Sequence, residues 1–257
     1  MMHIFLTNDD GIYAPGLWEL YKRFVQKHLV SVIAPDHEQS AVGHGITLHQ
    51  PLRVTKVSVN GTCPGYAVNG TPADCVKLGV LELLESKPDM LISGINPGAN
   101  VGVNINYSGT VAAAKEAALY GMMAMAVSIQ GHDTELYEEV AIFIEKLADK
   151  VIINGLPFGT FLNVNIPDVP LSKISGIRIS KLSVDFFPEY MEKRVDPRNR
   201  TYYWQGCDAL PVGKNPDIDG SVLHDKFISI TPIKCDMTDY QSFEAMKHWG
   251  IEGLEEE

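Results

Sequence analysis

His3-Ile4-Phe5-Leu6-Thr7 leads directly into Asn8-Asp9-Asp10-Gly11, so a short apolar strand ends in two adjacent carboxylates. Neighbouring side chains of a strand point to opposite faces, but a turn at Gly11, which has free access to positive φ, can bring both carboxylates to one side. Two such charges repel each other unless a cation lies between them, and oxygen ligands favour Mg²⁺, Mn²⁺ or Ca²⁺ over zinc. The alternative interpretation of these four residues is a solvated turn.

The composition is that of a globular protein of one large or two small domains, with 257 residues of which 45% are hydrophobic and 21% charged. With 21 basic and 32 acidic residues the net charge is −11, which argues against binding of polymeric nucleic acid. Neither a signal peptide nor an apolar stretch of the ~20 residues that a membrane helix needs is present, so we expect no membrane contact and a cytoplasmic location. The four cysteines show no C-x-x-C spacing, which predicts neither a disulfide nor a zinc site.

Short apolar runs alternate with helical patterns along the first half of the chain, which is typical of a parallel sheet with crossover helices. Thr71-Pro72-Ala73-Asp74 has the residues of a helix start, with Thr71 as the cap and an acid in the first turn. Asn60-Gly61 predicts a hairpin turn. The runs that we interpret as strands are Leu29 to Ala34, Met90 to Ser93, Ala124 to Ser128, Phe161 to Ile166 and Phe227 to Thr231.

A loop rich in Gly and Asn follows the predicted strand at Met90 to Ser93 and extends to Ser108-Gly109-Thr110. A helix of small residues, Val111 to Leu119, comes directly after it. The free N–H groups and the positive end of the helix dipole would then face the loop, which favours an anion site. The alternative is a long surface loop that Ser or Thr caps.

The segment 183–225 differs from the rest in its prolines, aromatic residues and mixed charges, and we interpret it as a β-rich arm. Its aromatic residues would form a costly apolar patch on a monomer, so we expect the arm to bury them in an oligomer. The alternative is a lid over the protein's own cleft, since a nucleotide base also needs an aromatic surface. The aromatic residues in question are Phe186, Phe187, Tyr190, Tyr202, Tyr203 and Trp204.

Dinucleotide, P-loop and α/β-hydrolase motifs are absent, but four other stretches resemble the SurE (survival protein E) family. Their order along the chain is also that of the family, although beyond Ile166 only the general layout is similar. His37 and Ala41-Val42 depart from the usual pattern, which leaves the substrate preference open. The four stretches are Asn8 to Gly11, Ala34 to Ser40, Asn69 to Val76, and Ser93 to Ala114.

The resemblance implies a Rossmann-like three-layer α/β/α sandwich with a mostly parallel sheet, formed by residues 1–257 as one domain. It also implies a β-hairpin arm and a C-terminal segment that hold a homodimer or a dimer of dimers together. One divalent metal ion per subunit, Mg²⁺ or Mn²⁺, is the implied cofactor. The implied metal ligands are Asp9, Asp10, Ser40 and Asn96.

The function that the resemblance implies is metal-dependent hydrolysis of nucleoside 5′-monophosphates to nucleoside and phosphate, with 3′-monophosphates and short polyphosphate as further candidate substrates. Asp9 or Asp10 would orient the attacking water. Asn96, Ser108, Gly109 and Thr110 would bind the phosphate, the last three through N–H and hydroxyl donors. A non-catalytic module that senses a nucleotide or a metal is the alternative. A sugar-nucleotide transferase fits less well, because it would need a D-x-D pair.

Overall fold

We describe residues 1–59, 61, 63–131, 134–184, 189–207 and 215–251 of a computed structural model. The strands are β1 His3–Thr7, β2 Leu29–Pro35, β3 Val54–Val59, β4 Cys63–Val68, β5 Met90–Pro97, β6 Met123–Ile129, β7 Thr160–Ile166, β8 Gly176–Ile179, β9 Glu189–Val195, β10 Thr201–Cys207 and β11 Phe227–Lys234. The α-helices are α1 Pro15–Phe24, α2 Pro72–Leu78, α3 Gly109–Leu119, α4 Tyr137–Asn154, α5 Asp219–His224 and α6 Tyr240–Met246.

Nine strands form one central sheet in the order β3-β4-β2-β1-β5-β6-β7-β11-β8. The β3–β4 and β7–β11 pairs are antiparallel, and the other neighbouring strands run parallel. The strand predicted at His3–Thr7 and the five further runs predicted as strands are all present in this sheet, and the antiparallel pair β3–β4 agrees with the predicted hairpin at Asn60-Gly61. Asn60 itself lies outside the described residues.

The helices cover both faces of the sheet, because side chains of the buried strands alternate between two hydrophobic cores. Ile4 and Leu6 of β1 pack with α1 and α4 on one face. Phe5, between them, packs with α2 and α3 on the other face. The fold is therefore a Rossmann-like α/β/α sandwich with a mostly parallel sheet, as predicted.

The chain changes direction across the sheet between β1 and β5, and this change positions the site. β1 pairs with both β2 and β5. The helix that follows β1 packs on one face and the helix that follows β5 packs on the other. The loops at the carboxyl ends of β1 and β5 therefore diverge and leave a crevice, which is where open α/β sheets bind ligands.

The predicted arm contains a separate two-stranded sheet, β9 paired antiparallel with β10. Phe186 and Phe187 lie outside the described residues. The other end of the segment 183–225 is not extended: helix α5 is buried against β11 through Val222 and Leu223. None of the helices in the described part of the chain is long and apolar enough to cross a membrane.

Candidate active site

A cleft of about 690 Å³ opens at the carboxyl ends of β1, β2 and β5. Four of the side chains predicted from the sequence border it: Asp9, Ser40, Asn96 and Ser108. They lie in the turn after β1, in the loop after β2, near the end of β5 and at the N-cap of α3, so the sheet and helix α3 bring together residues that are far apart in sequence. The remaining lining residues are Ala41, Pro97, Gly98, Ala99, Asn100, Asn104, Tyr107, Glu189, Gln205 and Gly206.

The acidic turn after β1 is fixed by hydrogen bonds within the turn and to its neighbours. The Asn8 side chain accepts from the Gly11 N–H at 3.2 Å and donates to the Gly11 carbonyl at 3.0 Å. Gly11 has a φ of +99°, a backbone conformation that residues other than glycine rarely adopt. The Gln39 N–H donates to the Asp9 carbonyl at 2.7 Å, so the loop that carries Ser40 is held against this turn.

Asp9 is buried, with 6% of its surface exposed, and both donors of Thr110 point at its carboxylate. The Thr110 hydroxyl donates to Oδ1, and the Thr110 N–H also donates to this carboxyl group. Burial nevertheless raises the pKa of Asp9 above its ordinary value, because desolvation outweighs these hydrogen bonds. A positive partner in the cleft would relieve this cost.

Asp10 follows Asp9 in the chain but borders a second, neighbouring cavity of about 350 Å³. Pro97 lines both the cleft and this second cavity. Burial raises the pKa of Asp10 to about 7, and the nearby carboxylates of Asp9 and Glu38 add to the effect. The Asp10 Oδ2 atom is buried and has no hydrogen-bond partner among the described residues. An unpaired carboxylate oxygen beside a second buried acid fits a bound cation.

The Ser40 hydroxyl and the Asn96 amide each donate a hydrogen bond to a neighbouring residue. Ser40 donates its hydroxyl hydrogen to Glu38 at 2.5 Å, and the Asn96 amide nitrogen donates to the Gly98 carbonyl at 2.7 Å. The lone pairs of Ser40 Oγ and Asn96 Oδ1 therefore stay available as neutral oxygen ligands. Within the described ranges, no cluster of three or more His, Cys, Asp and Glu side chains could hold a metal, so any site here depends on these hydroxyl and amide oxygens.

The residues predicted to bind phosphate occupy different places. Ser108 borders the cleft and caps helix α3, accepting from the Val111 N–H at 3.2 Å. Gly109 packs against the Asp9 side chain, and an added β-carbon there would lie 2.8 Å from the Asp9 Cβ. Thr110 is fully buried, its hydroxyl donates to Asp9, and it is not among the residues that line the cleft, so its role in phosphate binding stays a prediction.

The Gly/Asn loop is tied to the sheet through Asn100, whose N–H donates to the Asn165 side chain at 2.8 Å. The Asn100 carbonyl accepts from Asn163 and Asn165 at 2.8 and 2.9 Å. Its side-chain nitrogen donates to the Ser128 hydroxyl at 2.8 Å. Since Asn163, Asn165 and Ser128 belong to β6 and β7 and are fully buried, the loop is attached to the rigid core.

The hairpin β9–β10 contributes one wall of the cleft through Glu189, Gln205 and Gly206. These residues were not predicted, and no motif marks them in the sequence. Tyr203 and Trp204 are 60% and 59% exposed, and the aromatic residues of the hairpin are not among those that line the cleft. Asn104 and Tyr107 were also missed, although they belong to the Gly/Asn loop that the sequence singled out.

The fold and the site together define a Rossmann-like α/β protein with an acidic cleft at the switch point of its sheet. The family model described as "Survival protein SurE" matches residues 4–188. This chain belongs to the SurE family.

Two relatives named 5′-nucleotidase SurE are similar over nearly the whole length. The protein of Desulfatibacillum aliphaticivorans is 51% identical over 251 residues, covering 98% of this chain and 99% of the relative. The protein of Heliobacterium modesticaldum is 47% identical over 249 residues, covering 96% and 92%. The crystal structure of the SurE protein from Aquifex aeolicus superposes with a TM-score of 0.84 at 35% identity, covering 96% of this chain and 99% of that one.

Proposed function

We propose that this protein is a metal-dependent phosphomonoesterase that hydrolyses nucleoside 5′-monophosphates. The observation that carries the proposal is the cleft shared by Asp9, Ser40, Asn96 and Ser108, with Asp10 beside it. The relatives named 5′-nucleotidase SurE support the same activity. A cleft of about 690 Å³ is also large enough for a mononucleotide.

The chain would hold one divalent cation, Mg²⁺ or Mn²⁺, with two carboxylates and two neutral oxygens, those of Asp9, Asp10, Ser40 and Asn96. When bound, such an ion neutralises charge on the transferring phosphoryl group and acts as a Lewis acid. The carboxylates of Asp9 and Asp10 would also accept hydrogen bonds from the attacking water and so orient it towards phosphorus.

The protein's own donors would bind the remaining phosphate oxygens. Ser108 and Asn104 border the cleft, and their hydroxyl and amide groups would supply such donors. The N-terminus of α3 adds its positive dipole end, with the Gly109 N–H in the first turn. Thr110 would act on Asp9, keeping this carboxylate in one orientation.

Phosphate release from AMP or GMP tests the activity. We expect EDTA to abolish it, and Mn²⁺ or Mg²⁺ to restore it. Asp9→Asn and Asp10→Asn should each lower kcat/KM by at least about 10²-fold, because each removes a charged ligand. Asp149→Asn changes an exposed acid of α4 in the same way and should keep full activity. Full activity in chelator would refute the proposal, and 3′-monophosphates and short polyphosphate in the same assay define the substrate range.

We also propose that residues 1–257 form one domain that assembles into a homodimer or a dimer of dimers through the arm and the C-terminal segment. Tyr190, Tyr203 and Trp204 of the hairpin are at least half exposed, and so are Tyr240 and Trp249 near the C-terminus. Burial of these surfaces against a second copy would remove a large apolar area from water.

A cytoplasmic location is proposed as well. The two cysteines whose side chains are described, Cys75 and Cys235, are free thiols, which is compatible with a reducing compartment. Fractionation of cells that produce the protein tests this proposal.

A further inference from the structure

Asp219, at the start of α5, is a fully buried carboxylate outside the cleft. Its Oδ2 accepts from the Gly102 N–H at 2.7 Å. Its Oδ1 accepts from the Ser183 N–H at 3.3 Å and from the Gly220 N–H at 2.9 Å. One side chain therefore joins three backbone segments.

Two of these segments belong to stretches of the chain that also contribute residues to the cleft. Gly102 begins the short 3₁₀ turn Gly102–Asn106, and the loop around it carries Asn104, Tyr107 and Ser108 to the cleft. Ser183 lies six residues before Glu189, the first residue of β9, which also borders the cleft, and residues 185–188 between them lie outside the described residues.

The backbone around Asp219 strengthens the connection on the arm side. The Asp219 N–H donates to the Lys181 carbonyl at 2.9 Å, and the Lys181 N–H donates to the Asp217 carbonyl at 2.8 Å. The chain that enters the arm and the chain that returns from it are thus held side by side. Helix α5 in turn packs on β11, so the junction is anchored to the central sheet.

We infer that Asp219 is a positioning residue, which ties the Gly/Asn loop to the base of the hairpin β9–β10 and so fixes the width of the cleft. The inference rests on the proposed function for its catalytic consequence. Asp219 is not among the residues that line the cleft, so it would act through other residues.

A carboxylate suits this position better than an amide does. The three N–H groups converge on two acceptor oxygens, and an asparagine has only one such oxygen. Its NH₂ group would face an N–H donor of Gly102, or of Ser183 and Gly220, and leave it unpaired in a buried place. Asp219→Asn therefore keeps the shape of the side chain and removes one half of the connection.

The test compares Asp219→Asn with Asp217→Asn, the same change at an exposed position two residues away. Activity is measured with AMP and with p-nitrophenyl phosphate, which has no ribose or base to reach the second wall. We expect Asp219→Asn to lower kcat/KM for AMP by about tenfold or more, mainly through KM, because misplaced walls weaken the binding of the long substrate. The loss for p-nitrophenyl phosphate should be several-fold smaller, and Asp217→Asn should match the wild type. Equal losses for both substrates, or no loss, would overturn the inference.

Amide hydrogen exchange tests the connection without relying on catalysis. In the wild-type protein the Gly102 and Ser183 amides should exchange slowly, and in Asp219→Asn peptides containing both should exchange faster while those of the central strands do not change. If the Asp219→Asn variant does not fold, hydrogen exchange of the wild-type protein alone tests the inference. Rapid exchange of the Gly102 or the Ser183 amide in the wild type would contradict it. If the wild type hydrolyses no AMP, the proposed function fails and the exchange experiment still decides the role of Asp219.

Discussion

The hydroxyl of Thr110 donates a hydrogen bond to the carboxylate of Asp9, although the two residues lie 101 positions apart in the chain. Thr110 is fully buried in the first turn of α3, so this contact joins the helix after β5 to the turn after β1. The contact spans the crevice at the switch point. The orientation of Asp9 therefore depends on α3 being in place.

Removal of the Thr110 hydroxyl should weaken the site with little effect on the fold. We expect Thr110→Val to lower kcat/KM for AMP and the affinity for Mn²⁺ by about 10- to 100-fold, the range for partners that orient a metal ligand. Thr110→Ser keeps the hydroxyl and should recover most of both quantities. Steady-state kinetics and calorimetric titration with Mn²⁺ provide the measurements. Thr55→Val, at an exposed position of β3, is the control, and an unaltered Mn²⁺ affinity in Thr110→Val would refute the role.

Gly109→Ala should displace Asp9. The added β-carbon would lie 2.8 Å from the Asp9 Cβ and 3.1 Å from the Pro72 Cγ, so the acidic turn or α2 must move. Such a shift at a carboxylate that we propose to act in catalysis should reduce kcat/KM by about 10²-fold, and overpacking should lower the free energy of unfolding by about 1–3 kcal/mol.

Gly220→Ala provides the control for this substitution, because nothing lies within 4 Å of an added β-carbon there and the residue is helical. It should leave both the activity and the urea unfolding midpoint near the wild-type values. A fully active Gly109→Ala enzyme would show that the space around Asp9 is not constrained.

Glu116 should make stability depend on pH. It is buried on α3, and it pairs with His44 at 2.7 Å and with Lys77 at 3.1 Å. Burial opposes its ionisation, but the hydrogen bonds from these two residues outweigh burial and lower the pKa of Glu116. Its folded pKa lies below its unfolded one, so its contribution is present above about pH 4.3 and is lost as the pH falls through the lower folded value.

Glu116→Gln measures this contribution. The loss in unfolding free energy at pH 7 should be about 1.5–3 kcal/mol, the range for hydrogen bonds to a charged group. Urea titrations at pH 7 and pH 3.5 should give a smaller difference from the wild type at the lower pH. Glu244→Gln, which removes an exposed partner of Lys247, should change stability by less than about 1 kcal/mol at either pH. If Glu116→Gln lowers the free energy of unfolding equally at pH 7 and pH 3.5, Glu116 is not the source of the pH dependence.

Replacement of residues 189–207 by a short Gly/Ser linker should reduce the oligomeric state. The design keeps α5, because this helix is packed into the core and belongs to the stable part of the protein. Light scattering of the full chain and of the variant gives the two masses. A monomeric full chain, or a variant of unchanged oligomeric state, would contradict assembly through the hairpin.

Local patterns were sufficient to predict the sheet and the loops that border the cleft. Apolar runs identified the central strands, and the Gly/Asn loop and the paired acids identified two sides of the crevice. The contact of Thr110 with Asp9 could not be predicted in the same way, because a hydrogen bond between distant residues leaves no periodic signal. The place of Gln205 in the wall of the cleft could not be predicted either. It depends on how the hairpin is joined to the core and not on the local sequence around Gln205.

Helix α6 was not predicted from the sequence either, for a different reason. Its large apolar side chains, Tyr240, Phe243 and Met246, are exposed in the single chain. Because the helix has only seven residues, it contains too few apolar positions for their spacing to identify a helix from the sequence.

The position of β11 has a consequence for how the chain folds during synthesis. Phe227–Lys234 is the last strand in the sequence, yet it lies inside the sheet, between β7 and β8. An N-terminal fragment that stops before Phe227 would already contain Asp9, Ser40 and Asn96, but the edge of β7 would be unpaired and open to aggregation. In the described sheet β8 pairs only with β11, so this part cannot form until most of the chain has left the ribosome. The end of the sheet that carries the proposed metal ligands can thus form early in translation, and the end that anchors the arm can close only last.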